Sequence, residues 1–204
     1  NDYYKESLVD RSSAQQARIL SEARRLSLSF LYWLQTECPR DEGPGRRGSG
    51  QGYPGLRLAP EAVGTGDGLA KAPYIREARR LLGFKRVLEQ DVIAQESRGA
   101  RALHYPDTVG VGWYPIDLHR CAVEPPGGAD QRPAFEPSLP FQIPLGALLT
   151  PAVDNLVAAA KNIATTHITN GCYRLHPVEW NIGESAGALA AFCLEQGALP
   201  RAVW

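Results

Sequence analysis

The sequence predicts a mixed chain of the α/β class with α+β character, on three observations. Residues 12–35 repeat apolar side chains at a helical period, residues 109–121 alternate in a β-rich pattern, and residues 154–197 run from a short apolar segment through a polar stretch into a small-residue helix. At 204 residues the chain can bury one sizeable core or form a large part of a two-domain protein. Apolar residues make up 44%, an ordinary share for a globular domain, and 22 basic residues balance 22 acidic ones. Without net or clustered positive charge, nucleic acid is not an expected partner. Four of the basic residues are lysine and the rest arginine. Arginine forks suit carboxylates and phosphates but serve equally on solvated helix faces.

The first helix, at 12–35, takes Ser12 or Ser13 as its cap, and Leu20, Ala23, Ser27, Phe30, Leu31 and Leu34 recur near the helical period. Tyr32 and Trp33 near its end suit a core or an interface, or the wall of a substrate cavity. Residues 39–55, rich in Gly, Pro and charge, hold too little apolar surface to order themselves and read as an exposed, mobile loop, with Arg46 and Arg47 solvated. Pro73 opens a predicted short helix at 74–82, stopped by Gly83, on which Glu77 pairs with a neighbouring arginine. Residues 84–94 alternate poorly and read as a strand or a continued turn. In 109–121, Pro115 confines the strand to an edge or a bulge, and Asp117 and His119, two apart, share one face. Such a pair holds a general base in one tautomer, or is a structural contact. A second loop, polar and rich in Pro and Gly, spans 124–137, and extended sequence resumes at Phe141.

Residues 154–197 organise the rest. Asp154 and Asn155 make a turn ahead of the run LVAAA at 156–160, predicted as a buried strand. A polar loop with His167 and His176 follows. Asn181-Ile182-Gly183-Glu184-Ser185-Ala186-Gly187 then opens a helix that runs to a stop at Gly197. Its first turn is crowded with small residues, so a backbone or a flat ligand can come close. Its unpaired N–H groups and positive dipole end suit an anionic or electron-rich group. Strand, polar loop and small-residue helix are the parts of a nucleotide-cofactor site. No G-x-G-x-x-G follows any candidate strand; Gly64-Thr65-Gly66-Asp67-Gly68 lacks the spacing.

This stretch resembles the C-terminal end of FAD-dependent oxidoreductases of the glutathione-reductase-like type, and most of all a bacterial group of undefined substrate. The resemblance rests on NLVAAAKNI at 155–163, on Thr166-His167, Gly171 and Arg174, and on HPVEWNIGESAG at 176–187. PYIREARR at 73–80 and YPIDLH at 114–119 are similar to further family segments, although Ala78 stands where serine is usual. The resemblance implies the C-terminal portion of an FAD/NAD(P)-binding flavoprotein fold without its N-terminal dinucleotide-binding βαβ. Residues 1–140 would then be a substrate-side region and 141–204 the closing half of the FAD-binding domain. The implied chemistry is hydride transfer between the flavin and an organic substrate. Lys161, Asn162, Asn181, Gly183, Glu184 and Gly187 are the implied cofactor contacts, with helix N–H groups around Gly183 and Glu184 facing the flavin. His167 and His176 are implied as proton-exchange groups, with His176 held by an extended turn at Pro177. Arg174 is implied as a cation near developing charge or the pyrophosphate. Arg76, Asp117 and His119 are the implied substrate contacts. The chain has no methionine and starts at Asn1. The fingerprint is therefore expected upstream, in a missing N-terminal half of the same protein, and the 204 residues alone are expected to bind FAD poorly and to be inactive.

Two alternatives stand beside this one. The first is a non-catalytic remnant or interaction domain of the same fold that cannot hold FAD alone. The second is a metal or thiol enzyme using His167, Cys172 and His176, although H-x4-C-x3-H is not a familiar zinc ligand set and no metal is expected. Cys38, Cys121, Cys172 and Cys193 form no C-x-x-C and read as buried or incidental thiols. Residues 145–160 are apolar but include Pro151 and Asp154, so no membrane span is expected. Compartment and oligomeric state stay open.

Overall fold

Ser12 starts the first helix. In the structure, a computed structural model that describes residues 3–40, 50–77, 79–93, 101–119 and 134–204, its Oγ accepts the Gln15 N–H at 3.4 Å while Gln15 Oε1 accepts the Ser12 N–H at 2.9 Å. This reciprocal cap begins α1 (Ser13–Thr36), the helix expected at 12–35. It belongs to the first of two compact units, Asn1–Ile75 with Cys121–Ala129. Only Ile19 of α1 is fully buried. Phe30 and Trp33 stack at 5.8 Å on an exposed side, and Tyr32 lines an open groove with Arg25, Leu28 and Ser29. A single turn, α2 (Pro60–Val63), follows. Residues 41–49 of the first predicted loop, Arg46 and Arg47 among them, lie outside the described residues, as do Cys121 and residues 124–133 of the second loop.

The second unit, Arg76–Arg120 with Asp130–Trp204, holds the main core. A one-turn helix, α3 (Glu89–Val92), precedes its strands. Two small antiparallel sheets frame the core. β1 (Thr108–Gly112) pairs with β4 (Phe141–Pro144) across a bulge between Thr108 and Gly110, and β2 (Ile116–Leu118) pairs with β3 (Ala134–Glu136). Helices mixed with small antiparallel sheets give the expected α/β class with α+β character. Pro115 falls between β1 and β2, where no ladder N–H is required. β3 lies inside the predicted loop at 124–137, which therefore ends in a strand. The boundary expected at Phe141 runs through the β1–β4 pair, and the compact units part between Ile75 and Arg76.

Three further expectations are corrected by where backbone bonds go. Residues 74–82 are not helical where described. From Leu81 onward the N–H groups bond to distant segments: Leu81 to Asn162 O at 2.8 Å, Lys85 to Gly146 O at 3.0 Å, Val87 to Ala164 O at 2.9 Å. A chain satisfied across the fold does not close helical bonds on itself. The run at 156–160 forms no strand either: it has a single bridge, Leu149 to Val157, and Leu156 is exposed. Three alanines lack the branched side chains that fill a pleated surface. The fully buried stretch is Ile163, Ala164 and Thr165.

The polar loop is the third correction. It is α4 (His167–Tyr173), begun by Thr166, whose side chain accepts the Thr169 N–H at 3.0 Å. After it α5 (His176–Gln196) starts five residues before the expected Asn181, with Pro177 in its first turn, where a missing N–H is harmless. Pro177 thus begins a helix and does not make an extended turn. Gly197, at φ +60°, ends α5 as expected.

Tyr173 and Phe141 stack at 4.4 Å in the core, and the Tyr173 hydroxyl donates to Gln142 O at 2.7 Å, so a buried phenol is satisfied. A last turn, α6 (Pro200–Val203), brings Trp204 onto Phe84 at 4.6 Å, with its indole N–H on Asp107 Oδ2 at 2.7 Å. No described helix is long and apolar enough to cross a membrane.

Candidate functional site

Gly171 lets α4 lie against β2. A Cβ there would stand 2.9 Å from Asp117 O, closer than any side chain tolerates. Three residues on, Arg174 forms the C-cap of α4 with its side chain only 4% exposed. Its guanidinium is engaged on both arms: Nη1 donates to Glu77 Oε1 and Nη2 to Asp117 O. Asp117 Oδ2 lies 3.9 Å from the same nitrogen. The other Glu77 oxygen meets His167 Nδ1 at 2.7 Å and Arg80 at 3.7 Å. On β2, Asp117 Oδ2 meets His119 Nε2 at 3.2 Å. Two histidine–carboxylate pairs, His167–Glu77 and His119–Asp117, are thus tied together by one buried arginine.

Burial alone would raise the Glu77 pKa. The hydrogen bond from His167 and the positive charges of His167, Arg174 and Arg80 outweigh it and hold the carboxyl below its ordinary value. Glu77 is therefore a carboxylate, able only to accept. Cys172 behaves in the opposite way. Burial pushes its thiol up to about 12, and its Sγ donates to Thr169 O at 3.3 Å. A neutral, buried thiol is no nucleophile, which counts against thiol chemistry at 167–176. Among the described residues, no group of three His, Cys, Asp or Glu side chains stands together as a metal-ligand set.

Of the residues singled out in the sequence, His167, Arg174, Asp117 and His119 converge here. Arg76 directly precedes Glu77 and is partly buried, whereas His176 is exposed at the start of α5. Arg174 is buried, with both arms of its guanidinium engaged by Glu77 and Asp117. Gly183 and Glu184 lie in the second turn of α5 and beyond, where N–H groups belong to the helix ladder. Lys161 and Asn162 offer backbone oxygens to Asn170 Nδ2 at 2.9 Å and to the Leu81 N–H at 2.8 Å. Asn181 Nδ2 donates to Pro177 O at 3.1 Å. Glu184 and Gly187 are exposed. The residue that sequence reasoning missed is Glu77. Its signal is a lone acid among three arginines at 76–80, which along the chain reads as a local pair.

The sequence matches the family described as FAD dependent oxidoreductase over residues 1–204. The chain belongs to that family. No curated protein and no solved structure matches it. FAD is the family's cofactor, and a flat ring needs a bare surface of the kind α5 offers. Between Trp180 and Leu194, both largely exposed, the outer face of α5 carries Gly183, Gly187, Ala190 and Ala191. A Cβ on Gly187 would meet nothing within 4 Å, and one on Gly183 only Ala159 O at 3.4 Å. Such a bare apolar strip accepts a flat ring system or another backbone. The first turn of α5 is less suited to a pyrophosphate. Glu179 already places a carboxylate there, with Oε1 buried and unpartnered among the described residues, and Pro177 removes an N–H.

Proposed function

We propose that the chain is the substrate-facing and cofactor-closing part of a glutathione-reductase-like FAD oxidoreductase, of the bacterial type its tail motif resembles, which moves hydride between the flavin and an organic substrate. The observation that carries this is the cluster on Glu77 and Arg174. A substrate that exchanges a proton along with hydride requires a positioned acid–base group, and an imidazole backed by a carboxylate is the usual one. FAD, when bound, supplies the two-electron chemistry. His167, with 44% of its side chain exposed, takes or returns the substrate's proton. His119 on Asp117, with Arg76 on the neighbouring segment, contacts the substrate. Arg174 touches neither; it holds Glu77 and Asp117 in place. The strip from Gly183 to Gly187, with Lys161, Asn162, Asn181 and Glu184 at its margins, lies against the cofactor.

A helix apolar on nearly every side belongs between two layers. β1 covers one side of α5: Gly112 lies so close that a Cβ would meet Val178 at 2.8 Å, and Ser185 Oγ donates to Val109 O at 2.9 Å. The dinucleotide fingerprint, absent from these 204 residues, then belongs to another half of the same protein, which covers the outer strip and holds the cofactor's phosphates. The absorption spectrum of the intact protein tests the cofactor role: flavin bands are expected, and colourless, folded protein defeats it. Gly187→Val tests the strip. A Cβ there meets nothing within 4 Å, so the unfolding midpoint should hold while bound flavin falls at least about tenfold, the factor that ~1.4 kcal/mol of lost binding produces. Full flavin content in that variant would move the cofactor elsewhere.

A further inference from the structure

We propose that Glu77 is the positioning residue of His167, fixing its imidazole with the proton on Nδ1, so that Nε2 is the nitrogen that exchanges the proton with substrate. The proton-exchange part rests on the function proposed above; the tautomer part stands on geometry alone. Glu77 Oε2 lies 2.7 Å from His167 Nδ1. A carboxylate has no proton to give, so Nδ1 carries the hydrogen in both charge states of the ring. The neutral ring is then the Nδ1–H tautomer, opposite to the preference of a free imidazole, and only Nε2 gains and loses a proton.

What makes this more than a surface ion pair is how the carboxylate is held. Its Oε1 is taken by Arg174, whose own position is set by the end of α4 and by Asp117 O. Arg80 approaches Oε2 to 3.7 Å from the same segment. From β2 and the residue after it, Asp117 comes within 3.9 Å of the arginine and His119 bonds to Asp117. Leu81, four residues after Glu77, is pinned by its N–H to Asn162 O. The carboxylate therefore cannot turn away from His167 without giving up its bond from the buried Arg174 guanidinium. The ring meets Glu77 through Nδ1 and has 44% of its side chain exposed, so it is open to approach from solvent.

Nitrogen-15 NMR of the His167 ring in the intact protein, recorded above the pH at which the ring becomes neutral, reads the tautomer directly. The expected spectrum shows a protonated Nδ1 and a bare Nε2. Glu77→Ala is expected to return the ring to mainly Nε2–H. If that variant fails to fold, Glu77→Asp keeps a charge for Arg174 while shortening the reach to Nδ1, and the Nδ1–H share should fall at least about twofold, a change of roughly 0.4 kcal/mol by RT ln 2. A wild-type ring protonated on Nε2, or an unchanged tautomer in whichever of these variants folds, overturns the proposal. A purely structural Glu77 would alter stability without moving the tautomer. Flavin content separates the two ideas: a colourless intact protein with an Nδ1–H ring defeats the function and leaves the assignment of Glu77 intact.

Discussion

Arg18 and Arg174 make the same kind of contact in opposite surroundings. Each bridges two acidic partners brought from separate segments. Arg18 lies 2.7 Å from Glu6 and 2.9 Å from Glu22, with half of its side chain in solvent, and Tyr3 adds a hydrogen bond to Glu22 at 2.7 Å. Arg174 holds Glu77 and Asp117 with 4% exposed. In water the first network competes with hydration and salt and contributes little net stability. The second has lost its hydration, so each group depends on its partners being present. The difference teaches where to look for function: an exposed network tolerates a missing member, whereas a buried one fixes the direction of every atom in it.

The largest test of that contrast is Arg174→Ala. Removing the guanidinium leaves the Glu77 carboxylate, only 18% exposed, with Arg80 and His167 alone, and leaves Asp117 O without its donor. Breaking a buried pair from one side costs about 3–5 kcal/mol. Urea denaturation of the intact protein should show the unfolding free energy falling by that amount, read as a lower midpoint with little change in slope. Arg174→Lys should recover little of it, because one ammonium does not replace two arms aimed at two acceptors. A loss below about 1 kcal/mol, the range of exposed pairs, would mean that this arginine is solvated after all.

Acid should sharpen the contrast by a smaller amount. Glu77 has a folded pKa below that of the unfolded chain, which is about 4.3 for a free glutamate. Its contribution to stability is therefore fully present above the unfolded value and is lost as pH falls through the folded one. Stability measured from pH 7 downward should decline in that window, and Glu77→Gln, which carries no titrating proton, should flatten the decline while lowering the neutral-pH baseline. An identical acid limb in wild type and Glu77→Gln would mean that other carboxylates set it.

The parts legible in the sequence were those decided by near neighbours. Ser12 announces the start of α1, Gly197 announces the end of α5, and the two-residue spacing of Asp117 and His119 brings them together at β2 and the residue after it. The start of α5 was misplaced because Pro177 was read as a turn, although proline is equally at home in a first helical turn. The run at 156–160 was apolar enough for a strand but too poor in branched residues to be one. Glu77 was the harder case. Its partners His167 and Arg174 lie 90 and 97 positions away, so no local spacing reveals them. Between Glu77 and its own neighbouring arginines, the nearer and weaker pairing was the only one visible along the chain.

Arg18→Ala is the smallest expected effect and the control for the rest. The side chain is half exposed, and its partners Glu6 and Glu22 keep about a third of their own surface. Water can replace the guanidinium at both carboxylates once it is gone. The unfolding midpoint should therefore stay within measurement error, and raising ionic strength to 1 M, which shortens the screening length to about 3 Å, should be equally silent on the wild type. The helix itself should survive, because α1 is begun by Ser12 and Gln15 and its buried contact is Ile19, none of which Arg18 touches. A drop approaching that of Arg174→Ala would show that Arg18 is covered in the intact protein. The same result would place the exposed apolar residues Leu28, Phe30 and Trp33 of α1 under a partner as well, since a salt bridge gains such weight only when water is excluded from around it.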